Sequence, residues 1–515
     1  MGAMGIGTSL ASCGSSSAAP GTAPNPTPPP PPGLQSPRPG DWPNVGVGKS
    51  VVILGGGIAG MTTALEMTKL GYSCTILEAT ARAGGRNRTI RAGDVVDETD
   101  SFVPQTCMFD PDDDLYFNPG PARIPHHHEF LLGYCREFTV PLEAFINDNR
   151  AALLHSSTAF SGLPQIARRV HADTRGNIAR LLALAINQNA LDMELSATDR
   201  ANVLIMLRQF GDLDGLDDYS GTSRAGFPGQ ENTGSRKRGE MVGSLQFQDL
   251  VNETFWQQRQ DFAHFLDQQP TMLQPVGGMD RIGIAFEAQL APGVIIYEAV
   301  VNEIRKIVNG ARIIYQVRSG PSQMLDADYC ICTIPTTVLV GIPNDFSVDH
   351  QLEIENFEYS SAGKIAFQSR RFWEQDHNIY GVISWTTQDI TQIWYPNNGF
   401  GQDNGVIVGS YIFGGTRGND FANQALQTRI DTTVTQANVL HPEFGAETMH
   451  GFSVAWPRVP FQLGAWGISD PGILLTPDEN IFFAGEHLSI LQGWQEGAIL
   501  SAYHAIDLVV ARDSP

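Results

Sequence analysis

An α/β fold of more than one lobe is what the sequence predicts, on three observations. The chain has 515 residues, well beyond the ~250–300 at which a single hydrophobic core stops growing. Residues 51–80, VVILGGGIAGMTTALEMTKLGYSCTILEAT, read in order as strand, glycine turn, helix and strand. Strand-like stretches then return far downstream, in ADYCICTIPTTVL (326–339) and IFFAGEH (481–487), as they do when a parallel sheet is completed by distant segments.

The first of these elements carries chemistry as well as shape. Gly55, Gly57 and Gly60 follow a β-branched strand and open a helix whose apolar side chains recur as Ile58, Met61, Leu65 and Met67. Glycines at these positions let the helix N-terminus, here Ile58 and Ala59, approach a pyrophosphate. The second strand ends in Glu78, about 20 residues on, where a carboxylate accepts hydrogen bonds from a ribose. The unit is therefore a Rossmann-type dinucleotide-binding one. Gly48-Lys49-Ser50 is discarded as a phosphate loop, because Pro43 stands where the earlier glycine belongs and the trio precedes the strand.

Bulk composition narrows the function classes. Hydrophobic residues are 42% and charged ones 17%, with a net charge of -22; such acidity argues against general affinity for nucleic acid or anionic membrane. Six cysteines (Cys13, Cys74, Cys107, Cys135, Cys330, Cys332) include no C-x-x-C pair, so neither a disulfide scaffold nor a zinc site is expected, and Cys330 and Cys332 read as small core side chains on one face of a strand. Only five lysines occur, at 49, 69, 237, 306 and 364, which gives weight to any lysine in a chemically suggestive place. Residues 1–47 are expected to be a disordered, proline-rich tether, and no apolar run reaches the ~18–20 residues needed to span a bilayer.

After Glu78 the sequence resembles a known family. Glu78-Ala79 with Arg82-Ala83-Gly84-Gly85-Arg86 is similar to the second signature of the flavin-containing amine oxidases, a loop wrapping the diphosphate of FAD. The likeness runs over about residues 50–512. Gly485-Glu486 in IFFAGEH resembles the segment reaching the ribityl and phosphate region, and Gln492-Gly493-Trp494-Gln495-Glu496-Gly497-Ala498 resembles the G-W-x-x-G-A turn under the flavin ring, with Gly493, Trp494, Gln495 and Ala498 at the cofactor. Val301, in VVNEI, matches the valine on the adenine side, and Trp456 the tryptophan near the isoalloxazine, although Arg458 and Val459 depart from the common W-x-x-D-P form. The resemblance implies a Rossmann-type FAD-binding domain (48–95, 270–335, 465–512), a mixed α+β substrate-binding domain (96–128, 246–269, 336–464) and a helical insert (129–245) forming an entrance funnel. Within the insert, 176–195 and 196–211 read as helices and 222–240 as a polar loop.

Arg123 decides between subgroups. Its guanidinium sits in the stiff frame Gly120-Pro121-Ala122-Arg123-Ile124-Pro125 and must reach solvent or meet an anion. The frame resembles the L-amino-acid oxidase version of a loop crossing the flavin, with Pro121 and Ala122 at the cofactor and the arginine forked onto the substrate carboxylate; the alternative is an internal ion pair, for instance with DPDDD (110–114). By the same resemblance, Tyr395 in IWYPN gives that carboxylate another hydrogen bond, and Lys364 matches a lysine that holds a water against flavin N5. Gly493, Trp494 and Trp456 would receive the amine. His126-His127-His128 fan out at ~100° steps and cannot converge on one ion unaided, so loop packing is expected and no metal.

The reaction so implied is FAD-dependent oxidative deamination of an L-α-amino acid, broad among large hydrophobic and aromatic ones, giving a 2-oxo acid, ammonia and hydrogen peroxide with dioxygen as acceptor. An amide-forming 2-monooxygenase and an oxygen-independent dehydrogenase on the same fold are the alternatives. Partners are then the amino acid and dioxygen, with a homo-dimer or higher homo-oligomer common among similar enzymes. Leu10-Ala11-Ser12-Cys13 resembles a bacterial lipoprotein cleavage box lacking a basic segment before it; an exported protein suits such a leader, and the cytoplasm is the other option.

Overall fold

The structure is a computed structural model, which describes residues 44–99, 104–227, 239, 241–252 and 260–514. The expectations for residues 1–43 of the leader and for most of the 222–240 loop fall outside these residues; residues 44–47, expected to be disordered with the leader, form a turn in which Gly46 N donates to Leu70 O at 2.9 Å and Val45 packs against the core.

The glycine-rich unit folds as its pattern dictates. Ser50–Leu54 is a strand, Ile58–Lys69 a helix and Ser73–Leu77 a second strand. They belong to a five-stranded sheet in the order 295–296, 73–77, 50–54, 329–332, 481–483, whose neighbours are all parallel. Parallel strands covered on both faces read as unbroken apolar runs, and all four residues of Tyr329–Cys332 are buried, Cys330 and Cys332 at 0% and 1% exposure. The helix Ile58–Lys69 is buried from Ile58 through Met67 and packs beside the C-terminal helix Gln495–Asp513. Gly60 is required here, since a Cβ would stand 2.0 Å from the Gly55 carbonyl oxygen.

A second, seven-stranded sheet has the order 448–455, 362–370, 404–413, 392–394, 383–386, 153–155, 165–166. Its long central pair, Ala362–Arg370 and Asn404–Phe413, is antiparallel and sets Lys364 opposite Tyr411. Trp373, Trp385, Trp394 and Tyr395 pack in the core on this sheet. A three-stranded meander, 299–307, 310–317 and 322–327, completes the larger β structure.

The first expected helix is shifted. It spans Ala167–Asn187 and not 176–195, because Asn189 adopts φ 59, a left-handed conformation that stops a helix. The second runs Ala197–Gly211, started by a Ser196–Asp199 capping box.

Buried His487 and half-buried His171 are expected to make the fold acid-sensitive. Burial, reinforced by the Arg86 charge, pushes His487 down to about 3, and burial with Arg150 nearby pushes His171 down to about 4. Free histidine titrates near ~6.5, so between there and about 4 the unfolded chain binds more protons than the folded one, and stability falls as pH falls. We expect the urea midpoint to drop between about pH 7.5 and 5, and the drop to shrink in His487→Gln, at up to ~1.4 kcal/mol per pH unit for each histidine. An identical pH slope in the variant contradicts this.

Candidate active site

The carboxyl ends of the parallel strands open into a cavity of about 690 Å³. Gly55 follows one strand, Glu78 another, Thr333 a third and Gly485 a fourth, and all four line the cavity, which is where open α/β sheets bind ligands. The helix starting at Ile58 has no side-chain cap at Gly57, so its first N–H groups are free for an anion. Gly57 has open space where a Cβ would point. Glu78 accepts from Gly56 N at 2.7 Å, Thr80 N at 2.8 Å and Thr80 Oγ1 at 2.7 Å, which leaves about one of its four lone-pair sites for a ribose.

Glu486 ties the arginine-glycine loop at one end of the cavity to the turn at the other. It accepts from Arg86 Nη1 at 2.8 Å, from Gly467 N at 3.2 Å and from Gly493 N at 2.8 Å, joining the arginine-glycine loop to the C-terminal turn. Gly57, Ile58, Ala59, Ala79, Gly84, Gly85, Arg86, Val301, Trp456, Gln495 and Ala498 also face the cavity. Two of the expected cofactor residues do not. Gly60 is a packing glycine, and the Arg82 side chain folds back onto its own loop, donating to Gly85 O at 2.7 Å and Ala83 O at 3.2 Å, so it shapes the turn without facing the cavity.

Beyond this half the cavity continues under the loop 118–123. Gly120 is held so close to the Arg86 carbonyl that a Cβ would lie 2.2 Å from it, and Trp456 Nε1 donates to Pro119 O at 3.0 Å. Pro121, Ala122 and Arg123 line the wall. Arg123 Nε and Nη1 are buried without a hydrogen-bond partner, and among the described residues no carboxylate pairs with it, DPDDD included. Its guanidinium stacks 4.7 Å from the Trp394 ring and 5.5 Å from that of Phe262, and burial lowers it to about 10. Lys364 is 2% exposed and donates from Nζ to Gly120 O at 2.7 Å and Asn118 O at 3.0 Å. Burial first, then the Arg123 charge, hold its pKa well below the ordinary lysine value.

Tyr395 requires a correction. It does not reach the cavity: its hydroxyl lies 2.8 Å from Ser384 Oγ and 2.6 Å from His441 Nε2, on the other side of the sheet. Side chains alternate along a strand, and in Gln392–Trp394 it is Gln392 and Trp394 that face the cavity, which sends Ile393 and Tyr395 behind it. The tyrosine beside Arg123 is Tyr411, which the sequence reading missed; burial pushes it up to about 12, so its hydroxyl keeps its proton. Its only sequence signal is a place in the alternating run GVIVGSYIF, without a marker of the face it takes. Trp394 and Phe262 were missed likewise.

The histidine triplet splits. His126 is exposed, while His127 and His128 come together with Asp267 from a distant segment, their ligand atoms within 4.8 Å of one another. His128 packs edge-on to Trp494, ring centroids 5.1 Å apart.

The glycine turn that opens an uncapped helix and the acid that ends the next strand make this cavity a dinucleotide site of the Rossmann type. The chain belongs to the flavin containing amine oxidoreductase family, whose model matches residues 58–510, and its cofactor is FAD. It is 27% identical over 482 residues to YobN of Bacillus subtilis (strain 168), covering 88% of this chain and 93% of that one. It is 25% identical over 488 residues to the L-amino-acid oxidase of Notechis scutatus scutatus, covering 90% and 86%. Among solved structures, a putrescine oxidase mutant aligns with TM-score 0.58 at 14% identity, covering 90% of this chain and 99% of the other. The cyclohexylamine oxidase of Brevibacterium oxydans IH-35A aligns at 0.56 and 13%, with the same coverage. The α/β FAD-binding fold is thereby shared. Among the described residues no helix is long and apolar enough to cross a membrane.

Proposed function

We propose that this flavoprotein oxidatively deaminates L-α-amino acids to 2-oxo acids, releasing ammonia and hydrogen peroxide, with a broad preference for large hydrophobic and aromatic side chains. The observation that carries the reading is Arg123: a guanidinium that lines the cavity and meets no carboxylate among the described residues is matched by a substrate carboxylate in charge-assisted bonds. Plain amines offer it nothing. Similarity to L-amino-acid oxidases over most of the chain supports the same substrate class, and the aromatic walls at Trp394, Phe262, Trp456 and Trp494 support the side-chain preference.

FAD, when bound, supplies the redox chemistry, accepting a hydride equivalent and passing electrons to dioxygen. The residues supply position and protonation state. Arg123 and the Tyr411 hydroxyl hold the carboxylate, while the aromatic walls exclude water and favour the uncharged amine, which alone has a lone pair to stabilise a developing iminium. Burial and the Arg123 charge shift Lys364 toward its neutral form. Two N–H groups then satisfy Asn118 O and Gly120 O, and the lone pair is left to hold or deprotonate the water that hydrolyses the imino acid.

An aerobic peroxide assay over the L-amino acids, their D forms and simple amines, with product analysis, tests this. A 2-oxo acid with peroxide supports it, whereas an amide with carbon dioxide, or turnover only with an artificial acceptor, overturns it. The corrected tyrosine assignment gives a separate expectation. Tyr411→Phe removes a hydrogen bond to a charged group worth ~1.5–3 kcal/mol and lowers kcat/KM for amino acids by roughly 10–100-fold. Tyr395→Phe keeps its ring in the core and changes it by less than about threefold. Steady-state kinetics of the two variants side by side decide; the reverse ranking would restore Tyr395.

A further inference from the structure

Behind the seven-stranded sheet, away from the cavity, three potential ligands meet that the oxidase reading leaves unused. His377 follows the short helix Phe372–Gln375, His441 closes the helix Leu426–Leu440, and Glu443 precedes the turn Phe444–Glu447. One nitrogen from each histidine and one oxygen of the glutamate lie within 4.8 Å of one another. The two rings are 4.9 Å apart. His377 Nε2 is 2.5 Å from Glu443 Oε1, and His441 Nδ1 is 3.7 Å from the same oxygen.

His441 is the informative member. It is 0% exposed, and its Nδ1, aimed at Glu443, has no hydrogen-bond partner. A buried ring nitrogen left this way costs free energy unless something pairs with it. Its Nε2 lies 2.6 Å from the Tyr395 hydroxyl, which lies 2.8 Å from Ser384 Oγ, itself an acceptor for Leu153 N at 2.8 Å. Donor and acceptor can run either way along this chain; the arrangement with Nε2–H donating to Tyr395 and the tyrosine to Ser384 leaves the Nδ1 lone pair free, and it is the form a cation would select. A metal-bound histidine is commonly oriented in this way, its second nitrogen donating to a protein oxygen.

We propose that His377, His441 and Glu443 bind one divalent cation of the zinc class, with Tyr395 and Ser384 orienting the buried ligand. Two imidazole nitrogens and a carboxylate oxygen, with a fourth position left to water, are a zinc donor set. Ligand distances of ~2.0–2.2 Å require the closest pair to open and the widest to close. His377, with its side chain 36% exposed, is free to make that adjustment around the fixed His441. The cation would pin the segment after the 362–370 strand to the end of the 426–440 helix, and it stands independently of which amine is oxidised.

Untagged, FAD-loaded full chain, stripped with chelator, is titrated with ZnCl₂ by calorimetry and with Co²⁺ followed by visible absorption. We expect one equivalent bound and a tetrahedral Co²⁺ spectrum. His377→Ala, at a partly exposed position that tolerates truncation, should lose the spectrum, and Tyr395→Phe should weaken affinity by roughly 10–100-fold as an orienting residue does, while His127→Ala changes nothing. No uptake, or affinity unaltered in His377→Ala, overturns the proposal. So does uptake that survives His377→Ala and vanishes in His127→Ala, which would put the cation at the group near Trp494.

Discussion

Arg123→Met should lower kcat/KM for L-amino acids by roughly 10²–10⁴-fold, two charge-assisted bonds at ~1.5–3 kcal/mol each, while bound flavin and turnover of amines without a carboxylate change little. The size of the effect follows from burial. Between the Trp394 and Phe262 walls a carboxylate that loses its cation is left without a charged partner, and methionine keeps the apolar stem packed beside Trp394. Steady-state kinetics on an amino acid and on its decarboxylated amine provide the comparison. Equal losses on both would mean that Arg123 supports the wall and does not read the carboxylate, and the substrate class proposed here would fall.

Lys364→Met should reduce turnover by roughly 10²–10⁴-fold, the usual range for a positioned acid–base group, with flavin content unchanged. The pH profile separates this role from a merely structural one. Because burial depresses the lysine, its neutral form grows as pH rises through the lowered value; activity of the native enzyme should rise with pH, both from this group and from deprotonation of the substrate ammonium. The variant should lose the limb that belongs to the lysine and keep the one that belongs to the substrate. Activity that is flat between about pH 6 and 10 in the native enzyme would contradict both assignments. A profile identical in native and variant enzyme would contradict the lysine's.

What could be read in the chain before folding was what is fixed locally. A glycine pattern between two strands, an acid at a strand end and an arginine in a proline-stiffened loop each impose their geometry within a few residues, and the structure sets Gly55, Glu78, Gly85 and Arg123 around one cavity. Tyr395 and Tyr411 show where local reading stops. Which face a side chain takes depends on register with strands dozens of residues away, and a one-residue slip reverses it. IWYPN ends a strand of three residues, too short for its own alternation to reveal which side is in. Tyr411 owes its place to pairing with Lys364, 47 positions earlier in the chain (411 − 364). Arg82 meets the same limit: nothing in its motif says that the guanidinium serves its own turn, donating to Ala83 O and Gly85 O.

Trp394 and Tyr395 are successive residues facing opposite sides of the same sheet, so the substrate chamber and the histidine cluster share a partition one residue thick. Anything that loosens the rear of that partition can tilt the indole at its front. Complete removal of the Tyr395 ring would therefore imitate a substrate-contact defect in a mutational scan, although that side chain never meets the ligand; the phenylalanine variant, which keeps the masonry and deletes only the hydroxyl, tells the two apart.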